Sequence, residues 1–202
     1  SVQPSRPLTL SWDNGQGVRF IQVIEIDDNF MMTVTQRVEN SSTQAISTHP
    51  YGRIARTHTP DTLGFYILHE GPLAVFNDTL KEVDYDDLQE GPADATKSTG
   101  GWIGITDKYW LAALIPDQKE PYTGTFRYSQ PNKQDTYQAD FMTQAPQVIA
   151  PGATAQTVSH IFVGAKEVNL LDRYEVQLGI ARFDLAVDFG WFYFLTKPLF
   201  FV

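Results

Sequence analysis

The chain contains no cysteine, which excludes disulfide frameworks, thiolate metal sites and thiol nucleophiles. Basic residues are few: the chain has 15 Lys and Arg and 24 Asp and Glu, so its net charge is −9. Phosphate backbones repel such a surface, so we do not expect nucleic-acid binding. The sequence also lacks a signal peptide and an apolar run of about 18 residues, so it contains no predicted transmembrane helix.

Motifs for catalysis and metal binding are also absent. The four histidines do not form H-x-x-x-H or H-E-x-x-H patterns, and no carboxylate stands near them at ligand-like spacing. They are His49, His58, His69 and His160. No G-x-S-x-G motif occurs. We therefore assign no catalytic, cofactor-binding or metal-binding residue and do not predict an enzyme. A pair of carboxylates for glycoside hydrolysis remains an open alternative, because two such residues need to be close in the folded structure and not in the sequence.

Two other stretches have compositions that can bind ions, but their patterns favour simpler interpretations. The acidic run of Glu82, Asp84, Asp86, Asp87 and Glu90 lacks the ligand order of a calcium loop, so we interpret it as a solvated acidic loop. The glycines at 100, 101 and 104 precede a predicted strand instead of a helix. A phosphate there would not meet the N-terminus of a helix, so a nucleotide loop is not predicted.

What the sequence does contain is a strand pattern typical of an antiparallel β protein. Leu8, Leu10 and Trp12 share one parity and predict a strand with one apolar face. Residues 13–17 read Asp-Asn-Gly-Gln-Gly, a strong turn signal, and residues 27–29 predict a second turn. Phe30 is placed on the apolar face of the strand that follows.

Further strand signals recur through the middle of the chain. Residues 46–56 predict a strand in which Pro50 marks an edge or a bulge, and residues 63–68 and 73–76 predict short strands. Residues 91–101 are interpreted as a flexible loop. Residues 109–115, which include Trp110, Leu111 and Leu114, are apolar on both parities and predict a central strand covered on both faces.

The pattern changes near Lys166, where Leu170, Leu171, Tyr174 and Leu178 recur at helical spacing and Gly179 is placed to end the helix. We therefore predict nine to eleven strands followed by a short helical region. The fold class is mainly β, a large antiparallel β-sandwich with short C-terminal helices.

Residues 182–202 form an aromatic segment, and its only charged residues are Arg182, Asp184, Asp188 and Lys197. A mixture of Trp and Tyr with Phe and Leu is typical of a membrane interface, so we predict contact with a membrane surface in preference to a core helix. The predicted interface residues are Phe189, Trp191, Phe192, Tyr193, Phe194, Leu195, Leu199 and Phe200. Because the chain stops inside this segment, we expect it to be a piece of a longer protein.

Five segments of the sequence resemble the YidC-type family of bacterial membrane protein insertases. The most specific are FDLAVDFGWFYFLTKPLFFV at residues 183–202 and GWIGITDKYWLAALIPDQ at residues 101–118. The others are LTLSWDNGQGVRF, DDNFMMTVTQRVEN and FVGAKEVNLLDRYE, which occur in the family's order. The resemblance covers nearly the whole chain and matches the periplasmic domain of a Gram-negative member.

This resemblance implies a fold, a location and a function. The expected fold is a supersandwich related to mutarotases, with the sandwich at residues 1–165, a packed helix at 166–182, and a connector at 183–202 that begins an amphipathic helix on the membrane surface. The domain would lie on the periplasmic side of the bacterial inner membrane. It would assist the insertion and folding of inner-membrane proteins, alone or with the Sec translocon.

The resemblance also implies partners and leaves one alternative. The implied partners are the accessory subunits of the Sec translocon, nascent inner-membrane proteins and the membrane surface, and no cofactor is implied. Family members normally carry further residues ahead of the point that matches Ser1. The alternative is a carbohydrate-binding or mutarotase-like module, which would require histidines and a glutamate converging in one cleft.

Overall fold

The computed structural model of the protein describes residues 3–4, 6–61, 68–91 and 93–187. These residues form 14 strands in three antiparallel sheets, with two α-helices and two 3-10 helices. The predicted all-β class with C-terminal helices is confirmed, although the strands are more numerous than expected. One reason is Pro50, which divides the predicted strand at 46–56 into two.

The largest sheet has eight strands in the order β1-β2-β3-β14-β10-β9-β6-β7. Their bounds are β1 Leu8–Asp13, β2 Val18–Ile26, β3 Met31–Asn40, β6 Gly71–Phe76, β7 Thr79–Glu82, β9 Trp102–Thr106, β10 Trp110–Ile115 and β14 Thr154–Ala165. Because β14 pairs with both β3 and β10, the last strand joins the N-terminal hairpins to the middle of the chain.

A four-stranded sheet packs against one half of this large sheet, in the order β5-β12-β11-β8. Its strands are β5 Tyr51–Thr57, β8 Asp94–Thr99, β11 Pro121–Ser129 and β12 Thr136–Thr143, and a third sheet pairs β4 Ile46–Thr48 with β13 Gln147–Ile149. The helices are α1 Tyr85–Glu90 and α2 Val168–Leu178, and the 3-10 helices are Pro131–Lys133 and Phe183–Ala186.

The first predicted turn is confirmed and depends on its glycines. Gly15 and Gly17 have φ of 72° and 84°, a region that side chains with a Cβ rarely adopt. The Asp13 carboxylate accepts from the Gly15 amide at 2.7 Å, and the Asn14 side chain accepts from the Val18 amide at 3.0 Å. These local bonds define where β1 ends and β2 begins.

The second turn is also confirmed, but the prediction for Phe30 is wrong. The Asp27 carboxylate accepts from the amides of Asn29 and Met31 at 2.8 and 2.9 Å and closes the turn. Phe30 belongs to this turn, with φ of 68° and 60% of its surface exposed. The left-handed backbone turns its side chain away from the core face, and Met31 is buried instead.

Two segments that the sequence analysis interpreted as loops have regular structure. Residues 94–99 are not a flexible loop, because they form β8 and pair with β11 along its length. The acidic run contains α1, whose Tyr85 and Leu88 are buried among the aromatic residues between the sheets. The acidic side chains of the run are exposed, as predicted. The loop interpretation failed in both segments because few apolar residues reveal these elements, and their partners lie far away in the sequence.

The prediction that residues 109–115 are covered on both faces is confirmed. Leu111, Ala113 and Ile115 pack on the side of α2, whereas Leu114 packs between the two larger sheets. Tyr109 and Trp110 are exceptions, since 64% and 61% of their surfaces are exposed just before and at the start of β10. Strand β10 therefore has a protein cover on each side over most of its length.

The helix predicted from the spacing of Leu170, Leu171 and Tyr174 is confirmed as α2. Within the described ranges, no helix combines the length and the apolar character that crossing a membrane would need. Two other predictions fall on residues outside the description. These are most of the short strand at 63–68, of which residues 63–67 are not described, and the part of the aromatic segment from residue 188 onward.

Candidate functional site

The predicted membrane-interface residues lie outside the described residues. They are Phe189, Trp191, Phe192, Tyr193, Phe194, Leu195, Leu199 and Phe200. The described chain reaches Val187, two residues ahead of Phe189, so the structure shows how the sandwich holds the chain that leads toward these residues. We define residues 179–187 as the C-terminal junction.

The junction begins where α2 ends. Gly179 has φ of 66°, the left-handed conformation that commonly ends a helix, and it turns the chain back toward the large sheet. The next residue, Ile180, is 1% exposed and packs in the cluster formed by α2 and the sheet. The turn therefore leads directly into the core.

A single amide side chain, that of Gln118, ties the junction to two loops of the large sheet. Its Oε1 accepts from the backbone amides of Gly101 and Ala181, both at 3.0 Å. Its Nε2 donates to the carbonyls of Gly101 and Pro116, both at 2.9 Å. Gln118 thus joins the residues before β9, the end of β10 and the C-terminal junction.

Close packing at Gly101 makes this arrangement possible. Gly101 has φ of 88°, and a Cβ built there would lie 2.0 Å from the Val75 carbonyl oxygen. Only glycine allows the backbone to approach so closely with that φ. Gly100 and Gly101 precede a strand, β9, as predicted, whereas Gly104 lies within it, where a Cβ would lie 2.4 Å from the Ala112 carbonyl oxygen.

Phe183 is the largest apolar contact of the junction. It is 0% exposed and its ring meets those of Trp102 and Phe162 edge-on, with centroids at 5.6 and 5.8 Å. Edge-to-face contacts of this kind add to the free energy that burial itself supplies. Because Trp102 is in β9 and Phe162 in β14, Phe183 fixes the junction against two central strands.

Polar contacts close the junction around Arg182, which has φ of 51°. The Arg182 carbonyl accepts from Trp102 Nε1 at 3.3 Å and from the Leu185 amide at 3.2 Å. The Arg182 guanidinium pairs with the largely buried Asp184 at 3.3 Å, and the Asp184 amide donates to Glu175 Oε2 at 2.8 Å. The 3-10 helix Phe183–Ala186 is therefore bound to both α2 and β9.

A further contact holds α2 against the turn between β2 and β3. The Tyr174 hydroxyl donates to the Asp27 carboxylate. The pKa of Tyr174 is raised, mainly by burial and to a lesser extent by this hydrogen bond. A cavity of about 320 Å³ lies beside this contact, with Glu25 and Gln177 on its wall. The Tyr174 bond fixes the N-terminal hairpin to the helix that leads into the junction.

The histidines do not share partners. His49 contacts the Thr143 carbonyl at 2.9 Å, His58 contacts Gln134 at 3.0 Å, and His69 contacts the Pro72 carbonyl at 3.0 Å. His160 lies in β14, where burial lowers its pKa. The described residues include no cluster of three or more His, Cys, Asp or Glu that could hold a metal ion.

The junction therefore offers attachment, not chemistry. It is built from an amide, an aromatic ring and a half-buried ion pair, none of which is marked by the sequence as part of a site. Gly179 was the only local signal, because a glycine after a periodic helix predicts a C-terminal cap. The partners of Gln118 are in separate segments, so its role needs the folded structure.

Comparison with known sequences gives a consistent match. The sequence profile described as the YidC periplasmic domain matches residues 1–202. The chain is 45% identical over 209 residues to the membrane protein insertase YidC of Methylorubrum extorquens (strain PA1), covering 98% of this chain and 34% of that protein. The chain is 41% identical over 201 residues to the protein of the same name from Rickettsia bellii (strain OSU 85-389), covering 99% and 36%. The chain thus spans about a third of the length of these curated relatives.

Solved structures give a likeness in fold at low sequence identity. A galactose mutarotase related enzyme from Lactobacillus acidophilus superposes with a TM-score of 0.55 and 11% identity, covering 80% of this chain and 69% of that one. An α-galactosidase from Geobacillus stearothermophilus gives a TM-score of 0.53 and 9% identity, covering 80% and 24%. At this identity the likeness shows the sandwich fold alone, and the predicted mutarotase-like supersandwich is confirmed.

The Gln118 contacts generate a stability prediction. Gln118→Ala leaves the amides of Gly101 and Ala181 without their acceptor, which is expected to lower the free energy of unfolding by about 1–3 kcal/mol. Gln16→Ala is the matched control, because Gln16 is exposed in the first turn and should change stability by less than about 0.5 kcal/mol. Urea denaturation measures both. Equal midpoints for the two variants would show that the amide does not hold the junction.

Proposed function

The chain belongs to the YidC periplasmic-domain family, and from this membership we propose that it is the accessory domain of a membrane protein insertase. In this proposal the domain lies on the periplasmic side of the bacterial inner membrane. It aids the insertion and folding of inner-membrane proteins by binding partners and by positioning the membrane core of the whole protein. Insertion itself is the work of the longer protein.

The observation that carries the proposal is the attachment of the C-terminal junction. Gln118, Phe183 and Arg182 bind the last described residues to β9, β14 and α2. A flexible tether would need none of these contacts. A segment held at this many points leaves the sandwich from a fixed place, which is what a positioning domain requires.

The aromatic segment after the junction is proposed to meet the membrane. We divide the chain into a sandwich at 1–165, a helix packed on it at 166–182, and a connector at 183–202 that begins an interfacial amphipathic helix. The net charge of −9 provides no attraction to anionic lipids, so apolar area and the tether to a following transmembrane segment must supply the binding. Trp191 and Tyr193 suit the headgroup layer, and Phe194 suits the acyl boundary.

The membrane contact is tested with a polarity-sensitive probe at Phe194 in the full-length protein in lipid bilayers. We expect an emission maximum typical of an apolar environment, because Phe194 is proposed to face the acyl chains. The same probe at the exposed residue Val148 of β13 provides the aqueous reference. A spectrum at Phe194 equal to that reference would contradict a membrane contact.

The proposed partners are the accessory subunits of the Sec translocon and nascent inner-membrane proteins. The nascent proteins follow from the insertase name of the relatives, and the Sec subunits follow from the family resemblance of the sequence. No described surface distinguishes between them. Crosslinking of the full-length protein in native membranes would identify which of these proteins touch the domain. If neither class of protein is crosslinked to the domain, partner binding is contradicted and only the positioning role is retained.

The likeness in fold to mutarotase-related structures raises one alternative, a carbohydrate-binding or mutarotase-like module. Such an activity needs an acid and a base converging on one sugar. His49, His58 and His69 have separate partners, and His160 lies apart from them in β14, which supports the accessory-domain proposal over this alternative. The low-identity likeness to mutarotase-related structures concerns the fold and does not favour turnover.

The positioning role predicts an effect on insertion that differs from a loss of stability. Gln118→Ala in the full-length protein is expected to lower the insertion of a model membrane protein into proteoliposomes, because it releases the junction. Leu88→Ala is the matched control, since it removes a buried contact of α1 and costs about 2–5 kcal/mol without touching the junction. If insertion falls equally in both variants, it follows stability, and the positioning role is contradicted.

A further inference from the structure

The outer face of the four-stranded sheet is positively charged, although the chain as a whole has a net charge of −9. Alternate side chains of its strands fill the core between the sheets, so the residues between them point outward. The outward charged residues of these strands are Arg53 of β5, Lys97 of β8, Arg127 of β11 and Asp140 of β12. We call this surface the arginine face and define it by these four residues and Gln138.

The single carboxylate of the arginine face is buried. Asp140 is 2% exposed, and its Oδ2 accepts from Arg127 Nε at 3.2 Å and from Gln138 Nε2 at 2.5 Å. A buried carboxylate needs such partners, because an unpaired charge away from water is costly. Asp140 therefore adds little negative charge to the surface that a partner would meet, and it holds Arg127 in place.

The bond to Asp140 leaves the outer part of Arg127 available. It occupies Nε alone, and the two terminal nitrogens of the guanidinium have no hydrogen-bond partner within the described chain. The Arg127 side chain is 52% exposed. Because the planar guanidinium can bind a carboxylate through two parallel hydrogen bonds, Arg127 presents an oriented site for an anionic group.

A second guanidinium lies on the other side of β12. Arg53 is opposite Asp140 in the register, but it donates to Gln138 Oε1 in a long bond of 3.4 Å. Since β5 and β11 flank β12, the two arginines are separated by two strand spacings, roughly 10 Å. One arginine is enough to neutralise Asp140, so the charge of Arg53 is in excess.

Apolar side chains lie beside these charges. Tyr51 and Met142 are opposite each other in β5 and β12, and they are 42% and 47% exposed. Arg, Tyr and Met are enriched in protein interfaces relative to the rest of a protein surface. The face therefore has the composition of a protein-binding surface, and its charge favours an acidic partner.

The arginine face is remote from the C-terminal junction. The junction and α2 pack on one side of the large sheet, and the four-stranded sheet packs on the other side. Both sheets therefore lie between the arginine face and the junction, through which the chain leaves toward the proposed membrane segment. This position favours a protein segment over lipid headgroups as the anionic partner.

We propose that the arginine face binds a segment of a partner protein that carries several Asp or Glu side chains. Arg53 and Arg127 each bind a carboxylate of that segment, and Tyr51 and Met142 pack against its apolar side chains. The proposal rests on the partner-binding part of the proposed function, and it adds the place and the chemistry of the contact. It does not depend on the positioning role.

Binding of a defined acidic peptide tests the proposal. The probe is a fluorescein-labelled peptide of ten glutamates, which is added to the full-length protein in non-ionic detergent and followed by fluorescence anisotropy. We expect binding that weakens with added salt. The double variant Arg53→Gln, Arg127→Gln is expected to bind at least about tenfold more weakly, because two charge-assisted contacts are lost.

Two further variants separate recognition from a general change in charge or stability. Arg19→Gln, Arg173→Gln is the matched control, since both of these arginines are exposed and lie outside the arginine face. It removes the same charge and is expected to weaken binding by less than about twofold. Arg53→Gln alone keeps the Arg127–Asp140 pair intact and is expected to weaken binding at least about threefold.

Three results would overturn the proposal. The first is equal affinity of the double variant and its matched control. The second is equally tight binding of a peptide of ten glutamines. The third comes from a photo-crosslinker at Ala55, which is exposed beside Gln138, in the full-length protein in native membranes. Capture of phospholipid alone would assign the face to headgroups, and capture of no protein there, while partners crosslink elsewhere on the domain, would leave the proposed function intact but place the contact on another surface.

Discussion

Strands β9 and β10 carry apolar side chains on both of their faces, and each face needs its own cover. Ile103 and Leu114 face the four-stranded sheet, whereas Trp102, Leu111 and Ile115 face the other way. A two-sheet sandwich covers only the first set. The chain covers the second set with α2, Ile180 and Phe183, so the C-terminal residues complete the core. This requirement places the end of the described chain on a defined face of the large sheet.

The same requirement connects stability with the proposed role. A core element at the end of a domain cannot move without exposing the strands that it covers. The contacts of Gln118 and the Arg182–Asp184 pair add direction to this apolar anchor, because hydrogen bonds are more directional than burial. The result is a junction whose path along the sandwich is fixed as far as Val187. In an insertase, such a path would hold the domain in a constant relation to the membrane segments.

The sequence predicted the parts of this account that depend on local patterns. The turn at Gly15, the two-sided burial of Leu111 and Leu114, and the cap at Gly179 all follow from side-chain parity or from positive φ. It did not predict α1 or β8, whose few apolar residues find partners far along the chain. Gln118 was missed for the same reason, since its amide bridges three separate segments. The family resemblance identified the domain, but it did not identify the contacts of the junction.

The central claim is that the junction holds the following segment in one orientation relative to the sandwich. The most direct test is the distance distribution between spin labels at Val148, on the exposed face of β13, and at Lys197, beyond the junction, in the full-length protein in lipid bilayers. The account predicts one narrow distribution, which broadens in Gln118→Ala. A broad distribution in the unaltered protein would show that the junction is a flexible tether and would contradict the account.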